Sequence, residues 1–256
     1  MQSIKIGLGT AWWGRIPRLQ LLRRIDKLFV ACQALDINYV DTAHSYVSGL
    51  SEYLIRVGRL RHRTWTPRIS TKVGNKMTGE LAVEDFHEPS GTDTKPKADS
   101  VTLAIKRQAH QSIRRLGKGV VDTLLLHNPS PAYTRAESTW INLADFRRQT
   151  GLTRVGLSSD RTLSIDDFPP ALDKFVIQVS AQQFVERNEL FSEIAKTRDV
   201  EIVVNRIMGL GPDLESNFSR IASQELRPDI VLTGTTQVSR LEAAVDLMHE
   251  INRGIL

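Results

Sequence analysis

The stretch Ile37-Asn-Tyr-Val-Asp41-Thr-Ala-His-Ser-Tyr46-Val-Ser-Gly-Leu-Ser51-Glu52 reads as a strand, a polar corner and the head of a helix. Asn38 to Thr42 is a short β-rich run, and Ser51 to Leu60 carries apolar residues at helical spacing. The same unit recurs along the chain. Further β-rich runs cover Ile4 to Gly9, Arg68 to Val73, Asp122 to Leu126, Arg154 to Leu157, Phe175 to Val179, Glu201 to Val204 and Asp229 to Thr233. Most are almost continuously apolar, the pattern of strands covered on both faces. Between the runs, Leu19, Leu22, Ile25, Phe29, Cys32 and Leu35 recur every three or four residues, as do Val101, Ile105, Ala109, Ile113 and Leu116. Weaker helical patterns cover Arg135 to Gln149, Leu163 to Leu172, Glu186 to Thr197, Leu214 to Glu225 and Ser239 to Ile251.

Eight strands alternating with eight helices predict an α/β protein, a closed (β/α)8 (TIM) barrel. The chain has 256 residues, the length of one such domain, so residues 1–256 are expected to form a single unit. Gly7-Leu-Gly9-Thr-Ala-Trp12 lacks the last glycine of a dinucleotide-binding turn, which leaves an open Rossmann sheet unsupported. Residues 74–98, after the third strand, are rich in Gly, Asp, Glu, Lys and Pro and have no period. Loops that follow barrel strands lie on the catalytic face, so this polar segment is expected to overhang the active site.

Hydrophobic residues make up 41% and charged residues 25% of the chain, which excludes disordered, collagen-like and membrane-embedded classes. No uncharged apolar stretch approaches the length of a membrane span, and the start lacks a secretory signal pattern, so a cytoplasmic setting without membrane contact is expected. The net charge is +5, but the basic residues are scattered as Arg23-Arg24, Arg59/Arg61/Arg63, Arg114-Arg115 and Arg147-Arg148 on helical segments. With no aromatic ladder or nucleic-acid motif beside them, they read as solvated helix faces, and nucleic acid is not an expected partner. The single cysteine, Cys32, lies in an apolar-periodic stretch and reads as a packing residue. No His, Cys or Asp cluster has metal-ligand spacing, so no metal is expected. The expected partner is a small molecule, and the expected assembly a monomer or weak homo-oligomer.

Four polar residues fall at the C-terminal ends of successive strands, where barrel side chains converge: Asp41 and Tyr46 after the second, Lys72 in the third and His127 after the fourth. A lysine inside an apolar strand is costly to bury without a partner, and Asp41 is the natural one. A phenol is a weak acid, ordinarily titrating at about pH 10, and a neighbouring ammonium favours the phenolate and lowers that value. The group therefore suits proton transfer from Tyr46 to a carbonyl oxygen, with Asp41 holding Lys72 charged and neutral His127 orienting the oxygen by a hydrogen bond. Trp12 and Trp13, after the first strand, are placed to line the same pocket.

These residues bring a family into view. The stretch from Ile37 to Glu52, followed by Gly58, resembles the aldo-keto reductase signature, in which an Asp-Thr-Ala sequence leads to a catalytic Tyr and then a Ser-Glu pair. Thr71-Lys72, Leu125-Leu-His127, Gly156-Leu-Ser158, Gln178 and Gly234-Thr-Thr-Gln-Val-Ser-Arg240 match further family positions in the same order. The resemblance implies a catalytic tetrad of Asp41, Tyr46, Lys72 and His127 and a nicotinamide cofactor lying across the strand ends. It places Thr10, Asp41, Ser158, Ser159, Gln178, Arg206, Gly234, Thr235, Thr236 and Arg240 against that cofactor. Thr235 and Arg240 would meet the adenosine 2′-phosphate, which makes NADPH the preferred form, with NADH not excluded.

The resemblance has three departures. Ser159 replaces a frequent Asn, Asn205-Arg206 replaces the Tyr found under the nicotinamide in many members, and Ala243-Ala244 replaces the Glu-Asn pair near the adenine. The Arg206 guanidinium is expected to stack on the ring as a planar cation, favouring the reduced form over the positively charged oxidised one. The alternative function is a nicotinamide-binding barrel with a sensing or scaffold role and little turnover.

Overall fold

Eight parallel strands close on themselves: β1 (Lys5–Gly9), β2 (Tyr39–Asp41), β3 (Arg68–Val73), β4 (Val121–His127), β5 (Arg154–Ser159), β6 (Phe175–Ser180), β7 (Val200–Asn205) and β8 (Ile230–Thr233). The computed structural model describes residues 3–75, 98–168 and 173–255. Each strand pairs with the next in sequence, and β8 closes on β1 in parallel register from Lys5 opposite Ile230 to Leu8 opposite Thr233. The helices are α1 (Arg18–Ala34), α2 (Leu50–Arg61), α3 (Ala98–Leu116), α4 (Pro131–Thr134), α5 (Glu137–Thr150), α6 (Ala181–Glu186), α7 (Asn188–Thr197), α8 (Leu214–Ala222) and α9 (Val238–Asn252). This is the (β/α)8 barrel expected from the alternating pattern.

Two cores result from the two faces of the strands. Tyr39, Leu125, Val176, Val203, Ile230 and Leu232 form a buried cluster of their own, the filling of the barrel. A larger cluster, including Leu8, Phe29, Ile55, Ile69, Phe184 and Phe218, lies between sheet and helices. Side chains alternate along a strand, so the residue two places beyond each barrel-filling residue points to the same interior one layer higher. From Tyr39, Leu125, Val176, Val203 and Leu232 that step arrives at Asp41, His127, Gln178, Asn205 and Gly234. The chemistry-bearing layer therefore follows directly from the strand period.

Some expected elements differ. Of the helix anticipated over Leu163–Leu172, residues 169–172 lie outside the described residues, and 163–168 hold only a short 3-10 turn, Ile165–Asp167. Pro169-Pro170 follow it in the sequence, and the residue before a proline is driven out of the helical region; Phe168 is extended at φ −115°, ψ 126°. Two helices, α6 and α7, meet at Arg187, and the one anticipated over Glu186–Thr197 is the second, Asn188–Thr197. The first of them begins earlier because the Ser180 hydroxyl accepts from Gln183 N at 3.2 Å and caps it. Of the polar segment 74–98, only Gly74, Asn75 and Ala98 fall within the described residues.

A buried carboxylate anchors the connection after β5. Asp167 accepts both arms of the Arg161 guanidinium at 2.7 and 2.9 Å, the Thr134 hydroxyl at 2.6 Å and the Ser164 N–H at 2.9 Å. Burial works against the charge, but these donors outweigh it and hold the carboxyl down to about 2. A depressed folded pKa adds stability above the ordinary Asp range and loses it as pH falls through the folded value. Asp167→Asn is therefore expected to cost about 2 kcal/mol at neutral pH, with the gap to wild type closing between about pH 4 and pH 2. Urea unfolding of both proteins across that range checks this, and a gap independent of pH would contradict it.

Candidate active site

The segment between β2 and α2 carries Tyr46 to the mouth of the barrel. Its backbone continues the sheet pairing beyond β2, with Thr42 N donating to Ser70 O at 2.9 Å and His44 N to Lys72 O at 2.8 Å. After Tyr46 the chain reverses through three left-handed residues, Val47 (φ 51°), Ser48 (φ 52°) and Gly49 (φ 81°). Glycine suits that region, whereas Val47 and Ser48 each cost about 1–2 kcal/mol there. Such strain persists only where the surroundings enforce it. Ser51 supplies part of that enforcement: its Oγ donates to Thr10 Oγ1 at 2.8 Å and lies 2.9 Å from Thr42 Oγ1.

Lys72 reaches the same place from β3. Its side chain is 1% exposed, and Nζ lies 2.5 Å from Asp41 Oδ2, 2.9 Å from Thr42 O and 3.5 Å from the Tyr46 hydroxyl. Those three contacts use all three ammonium hydrogens. Asp41 Oδ1 accepts from Gln178 Nε2 at 2.8 Å, and Gln178 Oε1 accepts from Ser158 Oγ at 2.6 Å. Burial opposes the ammonium, but Asp41 and Tyr46 outweigh it, and the Lys72 pKa rises. Lys72 therefore stays charged.

Tyr46 behaves differently from the sequence expectation of a lowered pKa. Burial, the largest influence, pushes the phenol up; Lys72 offsets part of this and Asp41 adds to it, so the net direction is upward. The phenol thus holds its proton at neutral pH. His127 completes the wall, its ring edge-on to that of Tyr46 with centroids 5.9 Å apart. Asn75 Nδ2 lies 2.9 Å from His127 Nδ1. With the amide donating there, the neutral imidazole carries its hydrogen on Nε2.

These groups border a cavity of about 620 Å3 at the C-terminal end of the barrel. Among the residues anticipated from sequence, Asp41, Tyr46, His127, Ser158, Arg206, Gly234 and Trp12 line it. Lys72 and Gln178 stand behind that lining and act through Asp41 and Tyr46. Trp13 is a correction: it is fully buried, packs edge-on against Phe29 at 5.8 Å, and belongs to the core behind the sheet. The 3-10 turn Ala11–Arg15 puts neighbouring tryptophans on opposite sides, so only Trp12 faces the mouth, over Gly234. Thr10 and Ser159 are buried and turn their hydroxyls to Asp41 O at 3.0 Å and Arg161 O at 3.2 Å. Thr235 is buried and accepts from Gln237 N at 3.0 Å, while Thr236 and Arg240 lie further out, before and within the first turn of α9.

Arg206 lies at the rim of the cavity, paired with a carboxylate. Its Nη2 donates to Asp160 Oδ2 at 2.7 Å, and Asp160 is bonded to Asn128 through both backbone and side chain at 2.8 and 3.2 Å. The carboxylate compensates the guanidinium charge and engages it as a rim clasp. Sequence reasoning did not single out Asn75, Asn128 or Asp160, all of which line the cavity. The signal was present, since each follows the last residue of a barrel strand by one or two positions.

The barrel thus gathers buried Asp41 and Lys72 with half-buried Tyr46 and His127 at its C-terminal mouth. Residues 5–249 match the model of the Aldo/keto reductase family, and the chain belongs to that family and is an NAD(P)H-dependent oxidoreductase. It is 28% identical over 243 residues to an uncharacterised oxidoreductase of Schizosaccharomyces pombe, covering 85% of this chain and 73% of that protein. Its fold is similar to a Pseudomonas aeruginosa structure assigned to the aldo-keto reductases, at 22% identity and TM-score 0.73, covering 96% of this chain and 90% of that one. An aldo-keto reductase of Klebsiella pneumoniae in complex with NADPH aligns at 15% identity and TM-score 0.64, covering 95% and 85%. Among the described residues, no helix is long and apolar enough to cross a membrane.

Removing one partner of a buried ion pair leaves the other charge uncompensated and costs about 3–5 kcal/mol, whereas replacing both with apolar residues is close to neutral. Asp41→Leu is expected to lose stability in that range, and Asp41→Leu with Lys72→Met to recover most of it. Denaturant midpoints of the three proteins measure this. A double variant no more stable than the single one would show that the pair is not coupled.

Proposed function

We propose that the protein reduces an aldehyde or ketone to the alcohol, or runs the reverse oxidation, with Tyr46 as the proton donor and NADPH as the preferred cofactor. The observation that carries this reading is the buried Lys72 ammonium, fixed by Asp41 and 3.5 Å from the Tyr46 hydroxyl at the wall of the mouth cavity. When bound, the nicotinamide supplies the hydride to the carbonyl carbon. Tyr46 gives its hydrogen to the carbonyl oxygen as negative charge builds there, and Lys72 stabilises the phenolate left behind. His127 Nε2–H is the second donor to that oxygen and sets its position. Asp41 keeps Lys72 charged and in register.

The residues present fit a nicotinamide group. Asn205 Oδ1 is buried with no hydrogen-bond partner among the described residues, and Asn205 lines the cavity beside Ser158. A carboxamide N–H is the group that satisfies such an acceptor. At the other end, the loop after β8 and the first turn of α9 offer backbone N–H groups together with exposed Arg240, a fit for a phosphate. Thr235 and Thr236 belong to that loop. Ser158 and Gln178 act together, since the Ser158 hydroxyl fixes the Gln178 amide that steadies Asp41.

NADPH oxidation with a panel of aldehydes and ketones tests the proposal. Tyr46→Phe is expected to reduce turnover by about 100-fold or more while still binding NADPH. Because the phenol pKa lies above its ordinary value, the reduction rate should stay level from about pH 6 to pH 9. Alcohol oxidation, which needs the phenolate, should climb with pH throughout that range. Equal rates for wild type and Tyr46→Phe would remove Tyr46 as the acid.

A further inference from the structure

Arg115, in the last turn of α3, grips the Tyr46 segment from outside the cavity. Its Nη1 donates to His44 Nδ1 at 3.1 Å and to Glu52 Oε2 at 3.0 Å. His44 and Glu52 are both fully buried, one just before Tyr46 and the other in the first turn of α2, just after the left-handed reversal. The guanidinium also lies flat against Gly49, the last residue of that reversal: a Cβ there would come within 2.7 Å of the guanidinium carbon and Nη1. Glu52 Oε1 accepts from Thr71 Oγ1 at 2.7 Å, which ties the same contact to the strand residue before Lys72. Ser112, one turn back on α3, places its hydroxyl 3.3 Å from His44 Nδ1. One planar cation therefore touches the segment before, within and after its strained turn, and links it to the strand that delivers the lysine.

We propose that Arg115 is a positioning residue for Tyr46, holding the phenol at its distance from Lys72 without touching substrate. The strain at Val47 and Ser48 gives the segment a reason to relax once it is released, and β2 alone restrains only its beginning. A shift of about 1 Å in a reacting group costs roughly 100-fold in rate. The planar guanidinium suits the task because it bonds two acceptors while stacking flat on glycine, which a compact ammonium does not do. This inference rests on the proposed reduction, with Tyr46 as acid.

The test compares wild type, Tyr46→Phe, Arg115→Ala and Arg115→Lys on a carbonyl that wild type turns over. Arg115→Ala is expected to lower kcat by about 10- to 100-fold, with KM and the NADPH dissociation constant changed by less than about threefold. Guanidinium ion added at a non-denaturing concentration should restore part of that kcat while leaving wild type and Tyr46→Phe unaltered. Should Arg115→Ala fail to fold, Arg115→Lys keeps the charge opposite Glu52, and a kcat several-fold below wild type at unchanged KM supports the proposal. Wild-type kcat in a folded Arg115→Ala or Arg115→Lys protein, or an Arg115→Ala loss that guanidinium does not relieve, overturns it. If Tyr46→Phe equals wild type, the assignment of the acid has failed instead, and that outcome is read separately from the Arg115 variants.

Discussion

A lysine ammonium enclosed in a barrel of apolar strands is the constraint on which the rest of the mouth depends. Taking that charge out of water costs several kcal/mol unless its surroundings replace the lost hydration. Here the Asp41 carboxylate, the Thr42 carbonyl and the Tyr46 hydroxyl replace it. Asp41 is fixed in turn by Gln178, and Gln178 by Ser158, so a single chain of bonds runs from β3 through β2 to β6 and β5. Removing Asp41 leaves the buried ammonium without its counter-charge. One of the bonds that make burial tolerable also joins the lysine to the phenol.

Around this chain the structure divides labour between rigid strands and a strained connection. Strands deliver Asp41, Lys72, Gln178 and Ser158 with the precision of the sheet, and the barrel filling packs beneath them. Tyr46 arrives on a loop with two non-glycine residues in the left-handed region, and it needs external support. The Thr10–Ser51–Thr42 hydroxyls supply that support from within, and Glu52, His44 and Arg115 supply it from the helical side. The Ser-Glu pair that closes the sequence signature thus acquires a physical role. Its members pin the turn that presents the phenol.

Much of this is legible in the residue pattern alone. Alternating apolar runs and helical periods specify the barrel because strands covered on both faces have to be continuously hydrophobic, and period two then sorts Asp41 and His127 into one layer. A lysine in an apolar strand forces a partner. Other features are hidden for definite reasons. The two tryptophans after β1 look alike in sequence, but a 3-10 turn sends Trp13 into the core and Trp12 to the mouth. The pattern from Leu163 imitates a helix, but among the described residues the Asp167 bonds and the proline after Phe168 hold the chain to a single 3-10 turn. The direction of the Tyr46 pKa depends on burial against one nearby charge, a balance that spacing does not reveal. The Arg206 and Asp160 clasp joins strand ends far apart in the chain, where no local pattern signals it.

The most direct measurement is the single-turnover rate of hydride transfer by Lys72→Met, taken with NADPH and a carbonyl both saturating and compared with wild type. An ammonium that stabilises the phenolate left on Tyr46 predicts a fall of about 100- to 10,000-fold with NADPH binding retained. An unchanged rate in the variant would contradict the account, because the proton would then leave Tyr46 without the charge around which the mouth is built.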